Sequence, residues 1–241
     1  HKSGPSFGAL TAHWVNERCK LCTASYNSRV EEADVIWINS QDPLDEDSYT
    51  TLMRHLARAR PDARIINHPN HYNAYHRDDV FEHLSRAGVS VPRFSFSDKD
   101  RGVTTVIYKM QGCQAAPKTL EIYQGERKGY RAFEFIDSRG SEGLYRRCRT
   151  FYLIGLVRPS KLMASNHWNV CLKHKTDLYY TFTMTDEEIR QVKLIADALR
   201  IEYFAVDFLR RHSDDAPFFT DVNIYPTIRS VTKKINQKRD Y

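Results

Sequence analysis

Tyr203–Pro226 reads YFAVDFLRRHSDDAPFFTDVNIYP. Two apolar runs, Tyr203–Leu209 and Phe218–Val222, flank a turn-rich insert, Arg211–Pro217, which is the pattern of a β-hairpin. Side chains alternate faces along a strand, so Tyr203, Ala205, Asp207 and Leu209 share one face. Phe219, Asp221 and Asn223 share one face of the second strand by the same rule. If these faces coincide, Asp207, Asp221 and Asn223 converge. Two carboxylates and an amide are hard oxygen donors, suited to Mg²⁺ bound together with phosphates. The competing reading is that acidic residues simply sit at strand ends. Ala205, Val206 and Phe208 around Asp207 weigh against it, because an unpaired buried carboxylate is costly.

Upstream, Thr185–Arg200 is the clearest helix. Thr185 and Glu188 form a capping box, and Ile189, Val192, Ala196 and Leu199 form an apolar stripe. Before it, Val103–Met110, Thr119–Tyr123, Tyr130–Ile136 and Tyr145–Val157 read as strands. Gly112, Gly125, Gly129, Gly140 and Gly143 stand at turns between them, so an antiparallel layer is expected. Pro159–Asn169 reads as a polar connection and Trp168–Lys173 as a further strand. Earlier still, Asp34–Asn39, Ser48–Ala59 and Ala63–Ile66 read as strand, helix and strand, a parallel βαβ unit. Ala74–Ala87 is expected to be helical, with Gly88 as its C-terminal cap. Asn67-His68-Pro69 and His71 read as a turn rather than a metal site. The first thirty residues have weak periodicity and give no assignment.

The chain has 241 residues and 41% hydrophobic content, enough for a folded core. No apolar run approaches the roughly 20 residues of a membrane span, and HKSGPSFGAL lacks the apolar core of a signal peptide. The net charge of +6 suits an anionic substrate such as a nucleotide and is too diffuse to indicate nucleic acid. Lys233, Lys234, Lys238 and Arg239 are expected to be a solvated tail. Among the five cysteines, Cys19 and Cys22 form a CxxC with no second pair for zinc. Reduced thiols in a cytoplasmic protein are the expectation.

Four segments between Val35 and Pro226 together resemble the ATP-grasp superfamily of carboxylate ligases, most nearly its ribosomal-protein glutamate ligases. Asp207, Asp221 and Asn223 match the order of that family's metal ligands, with Asp221 where Glu is usual. Arg77–Val89, RDDVFEHLSRAGV, followed by Pro92, is similar to its nucleotide-contacting helix, with Arg77 where Lys is usual. Phe133–Asp137, FEFID, looks like the hinge strand that grips adenine. Gly143–Pro159, GLYRRCRTFYLIGLVRP, resembles the run carrying a phosphate-contacting arginine, here Arg149, and Ser165–Trp168 is similar to a branch pattern of Ser, two variable residues and Trp.

The resemblance implies an α+β / α/β fold with a small N-terminal α/β domain (1–92), a central antiparallel lid (93–157) and a C-terminal subdomain (158–241) carrying the metal site. It implies ATP and Mg²⁺ as cofactors. Arg77, Lys109, Glu134, Phe135, Ile136, Asp137 and Glu142 would bind nucleotide, and Arg149 and Asp207 would be catalytic. The expected reaction activates a small-molecule or peptide carboxylate as an acyl phosphate for attack by an amine, without a membrane partner. A homodimer is the family-level expectation. One departure stands out. The family follows its strand lysine with a glycine-rich loop, whereas Lys109 is followed by MQGCQAAPK, with one glycine. The alternative expectation is therefore a degenerate ATP-grasp protein that binds nucleotide or a partner without turnover. His167 and Trp168 read equally as packing or as part of an acceptor pocket.

Overall fold

The computed structural model describes residues 7–26, 29–40, 42–111, 118–171, 176–179 and 182–226. The chain divides into two compact units, 1–70 and 71–241. The first contains helix α1 (Phe7–Arg18), strand β1 (Val35–Trp37), helix α2 (Glu46–Leu56) and strand β2 (Arg64–Ile66). β1 and β2 are parallel, with Val35 opposite Arg64 and Trp37 opposite Ile66, as the βαβ reading requires. Asp45 starts α2 by accepting the Ser48 N–H at 2.8 Å. A single turn, α3 (Pro69–Tyr72), runs across the division.

In the second unit helix α4 (Val80–Arg86) begins later than its apolar spacing suggested. Asn73–His76 is a 3₁₀ turn, and Arg77 breaks from it in an extended conformation (φ −66°, ψ 146°). Gly88 ends α4 with φ +84°, and Val89 donates back to the Leu84 carbonyl at 3.0 Å, a Schellman-type stop.

Two antiparallel sheets follow. The first has three strands in the order β4 (Lys118–Ile122), β3 (Thr105–Met110), β5 (Tyr130–Glu134). The second has five, in the order β10 (Pro217–Asn223), β9 (Tyr203–Arg210), β6 (Tyr145–Leu153), β7 (Leu156–Ser165), β8 (Thr176–Tyr179). Four sequence expectations are corrected. Tyr145–Val157 is not one strand, because Ile154 (φ +46°) and Gly155 (φ +82°) fold it into the β6–β7 hairpin. β6 joins the second sheet, not the layer of β3–β5, because β9 pairs along its other edge. Pro159–Asn169 is largely strand rather than connection, while Trp168–Cys171 lies outside any strand; residues 172 and 173 of the expected strand lie outside the described residues.

Helix α5 (Asp186–Leu199) covers the second sheet with buried Val192, Ile195, Ala196 and Leu199. Its Thr185–Glu188 capping box is present as expected. Glu188 also takes the Arg210 guanidinium at 2.6 and 2.9 Å, so the cap doubles as a buried tie to β9. Gln191 of α5 pairs with Ser90, whose carbonyl accepts from Phe219 of β10. Tyr203 through Phe208 are all buried, consistent with a strand covered on both faces. That burial places Asp207, 1% exposed, inside the protein.

Candidate active site

Register fixes the site. Arg149 of β6 lies opposite Lys161 of β7 on one side and opposite Asp207 of β9 on the other. Asp207 in turn lies opposite Asp221 of β10. Direct cross-strand partners point to the same face of a sheet. Lys161, Arg149, Asp207 and Asp221 therefore form a transverse row across four strands, two cations followed by two acids. The three-stranded sheet carries a second row, with Lys109 opposite both Lys118 and Arg131.

The centre of the first row is a buried ion pair. Arg149 Nε donates to Asp207 Oδ1 at 2.6 Å and Nη2 to Oδ2 at 2.8 Å, a bidentate fork. Arg147 Nη1 stands 3.4 Å from Oδ2. Burial pushes the Asp207 carboxyl up, but Arg147 and Arg149 outweigh it and hold the group below the usual carboxylate range. Asp221 behaves oppositely. The surrounding protein and then the like charge of Asp207 push its carboxyl up, against the pull of Lys109, Lys118 and Arg149. Among the described residues Asp221 has no ion pair or hydrogen bond of its own. It lines a cleft of about 120 Å³ with Arg77, Lys109, Phe133 and Thr220.

The other residues expected from sequence are distributed unevenly. Lys109 and Arg77 reach this cleft, although Arg77 is engaged by Asp79 at 2.8 Å. Asn223 follows Asp221 on the same strand face, and its Oδ1 accepts the Tyr225 N–H at 2.9 Å. Glu134–Asp137 is the chain crossing from the first sheet to the second. Its Glu134 and Phe135 N–H groups are taken by the Arg93 and Thr105 carbonyls at 2.7 and 3.1 Å. The Ile136 N–H has no acceptor among the described residues. Asp137 is paired with Arg139 and Glu142 with Arg146. The segment after Lys109, residues 112–117, lies outside the described residues, as does the basic tail beyond Pro226.

Sequence spacing gives no role to Lys118 or Lys161, and it puts Arg147 on the strand face of Arg149 while favouring function for Arg149 alone. Lys118 is the first residue of β4, and the surrounding protein lowers its ammonium while Asp221 opposes that shift. Two lysines flanking one short segment were the available signal; their pairing depends on register.

The donor set can be compared with what Mg²⁺ requires. Among the described residues no group of three His, Cys, Asp or Glu converges. Two carboxylates on facing strands and an amide oxygen nevertheless suit a cation that takes its remaining ligands from phosphates and water. Asp221, destabilised by its neighbour's charge, is the place where a cation relieves most repulsion. Each Asp207 oxygen keeps a further lone pair beyond the one given to Arg149. The residues fit.

No family model and no curated sequence matches the chain. Solved structures do. The ATP-grasp ligase PsnB, complexed with precursor peptide PsnA2 and AMPPNP, superimposes with a TM-score of 0.58 at 14% identity, over 86% of this chain and 78% of that one. A RiPP-associated ATP-grasp ligase of Chryseobacterium gregarium, in complex with ADP and a leader and core peptide, gives 0.52 at 14% identity, over 85% and 72%. The D-alanine–D-alanine ligase of Bacillus anthracis gives 0.52 at 10% identity, over 78% and 70%. At these identities the likeness is one of architecture, and with its two antiparallel sheets joined through Glu134–Asp137 the chain has the ATP-grasp fold.

Proposed function

We propose that the protein is an ATP-dependent ligase that joins a carboxylate to an amine through an acyl phosphate. The observation carrying this reading is the row Lys161–Arg149–Asp207–Asp221 in one unit with Lys109 and Lys118. Lys109 and Lys118 would hold the phosphate chain, with Arg77 at the cleft wall. Arg149, released from Asp207, would hold the transferring phosphoryl by its paired N–H groups. Asp207, Asp221 and Asn223 would hold Mg²⁺, which when bound neutralises charge on the phosphates. The substrate carboxylate attacks the γ-phosphorus and ADP leaves; an amine then displaces inorganic phosphate from the acyl carbon. Positioning supplies most of the acceleration, so no nucleophilic side chain is required.

A peptide is the favoured carboxylate donor, because two of the similar structures are ATP-grasp ligases with bound peptides, a precursor peptide in one and a leader and core peptide in the other, and Lys161 and Arg147 add cations beside the proposed reacting position. The branch within the superfamily is part of this proposal. The second reading, nucleotide binding without turnover, has specific support: Arg149 occupies both oxygens of Asp207, and the segment after Lys109 has one glycine. ADP and phosphate release would be measured with ATP, Mg²⁺ and a panel of acidic peptides, amino acids and amines. Release that depends on both acid and amine is expected. Nucleotide binding with no release across the panel would remove the ligase reading and leave the second.

A further inference from the structure

The first unit holds a feature that the proposed ligase reaction does not use. Helix α1 ends at Arg18, and Cys19 closes its last turn by donating N–H to the Val15 carbonyl at 2.7 Å. The chain then reverses through Cys19-Lys20-Leu21-Cys22 and returns along the helix. Two contacts pin the return. Asn16 and Ala24 bond reciprocally, with Nδ2 donating to the Ala24 carbonyl at 2.8 Å and Oδ1 accepting the Ala24 N–H at 2.6 Å. Farther back the Tyr26 ring lies against Gly8, where a Cβ would come within 2.4 Å of it. The loop tip faces water: Leu21 is 97% exposed, Cys22 is exposed and Cys19 partly so. At that tip the two sulfurs stand 3.4 Å apart, with the Cys22 thiol donating to Cys19.

We propose that Cys19 and Cys22 are a redox-active dithiol that closes reversibly to a disulfide, with Cys19 as the attacking sulfur, Cys22 as the resolving one, and Asn16 as the positioning residue for their loop. The arrangement assigns these roles. The backbone N–H of Leu21, then the Cys22 thiol, stabilise negative charge on Cys19 and lower its thiol, whereas the hydrogen bond to Cys19 raises Cys22. The Asn16–Ala24 clamp keeps the loop folded back, so closure orders little that is not already ordered. A zinc site is less well supported, since no third or fourth ligand is near among the described residues.

With a low-molecular-weight disulfide such as oxidised glutathione, the chemistry balances. The Cys19 thiolate attacks one glutathione sulfur, the glutathione S–S bond breaks, and one glutathione thiolate leaves. Cys22 then loses its proton and attacks the Cys19 sulfur of the mixed disulfide, expelling the second glutathione thiolate. Two protein thiols are oxidised and one glutathione disulfide is reduced to two thiols. Cys148 provides an internal control, since burial pushes its thiol up to about 12.

The full chain, reduced and then equilibrated with defined ratios of reduced and oxidised glutathione, would be quenched with an alkylating agent and mapped by mass spectrometry. The expected result is an intramolecular Cys19–Cys22 peptide, two hydrogens lighter, formed before any change at Cys148. Cys22→Ser should trap a glutathione adduct on Cys19, and Cys19→Ser should slow adduct formation at Cys22 by about tenfold. Asn16→Ala should slow closure several-fold with the helical circular dichroism unchanged. Persistence of both thiols at excess oxidised glutathione, a stable glutathione adduct on wild-type Cys19, or stoichiometric zinc retention through Cys19 and Cys22 would overturn the proposal.

Discussion

Asp207 and Asp221 face each other across β9 and β10, yet their substitutions should behave differently. Asp207→Asn leaves the Arg149 fork buried without its full counter-charge, so it should abolish turnover and also cost about 2–3 kcal/mol of stability, read from denaturant midpoints. The sign reverses for Asp221. A carboxyl raised in the folded state binds its proton more tightly there, so folding loses stability as pH rises through the ordinary Asp range toward the raised value. Because Asp221 is exposed, solvent screens much of that penalty, so Asp221→Asn should raise Tm at pH 7 only slightly while abolishing turnover; a lower Tm would contradict the assignment. Lys118→Ala should raise the KM for ATP by about tenfold, a loss on the scale of one charge-assisted phosphate contact. An unchanged KM would restrict Lys118 to a surface role. Asp207 was legible in the sequence because it interrupts an apolar strand. Lys118 was not, because which lysines face each other depends on a register that a strand's own sequence leaves open.

Among the elements, the turn before β3 makes a clean pH test. Asp100 accepts from the Ser97 N–H and faces Arg93 and Thr104, closing a capping box around residues 97–100. These contacts, the Ser97 backbone first, depress its carboxyl to about 2. The stability this contributes is complete above the ordinary Asp value of about 3.9 and is lost as pH falls toward about 2. Asp100→Asn should therefore flatten the dependence of Tm on pH between about 4 and 2, as followed by thermal melts in a pH series. Helix α5 was legible because cap and apolar stripe agree there, and the β9–β10 hairpin because its two apolar runs flank a turn; the expected common face of Phe219 and Asp221 does not hold, because a register shift between them turns Phe219 to the face opposite Asp221. The β6–β7 hairpin was not. Pro159 suggested that no strand continued, but it sits opposite Thr150 at a register shift, before the stretch where β8 pairs with β7. A proline is tolerated in a strand at such a bulge or unpaired edge. The positive φ at Ile154 is equally invisible, because a β-branched residue rarely adopts it.

At the scale of the molecule, two compact units of unequal size, residues 1–70 and 71–241, predict unfolding that is not a single two-state event. A non-hydrolysable ATP analogue with Mg²⁺ should shift only the transition of the larger unit, by about 2.7 kcal/mol at a hundredfold excess over its Kd. Calorimetric scans with and without the analogue would show this, and an equal shift of every transition would contradict it.

The Arg149–Asp207 fork has a thermodynamic consequence for the order of assembly. A cation arriving alone finds Asp207 already neutralised by the protein, and a phosphate arriving alone finds Arg149 already satisfied. In the proposed function each draws on the same ion pair, the cation by sharing the Asp207 oxygens and the phosphate by taking Arg149, so whichever loosens it spares the other part of that work. Under the proposed function the two ligands would be heterotropic effectors of one another, with equal and reciprocal coupling. Titration calorimetry should find Mg²⁺ affinity raised by the nucleotide and nucleotide affinity raised by Mg²⁺ by one common factor. In Arg149→Ala that factor should fall toward the value set by direct metal–phosphate contact alone, with Mg²⁺ binding unaided for the first time.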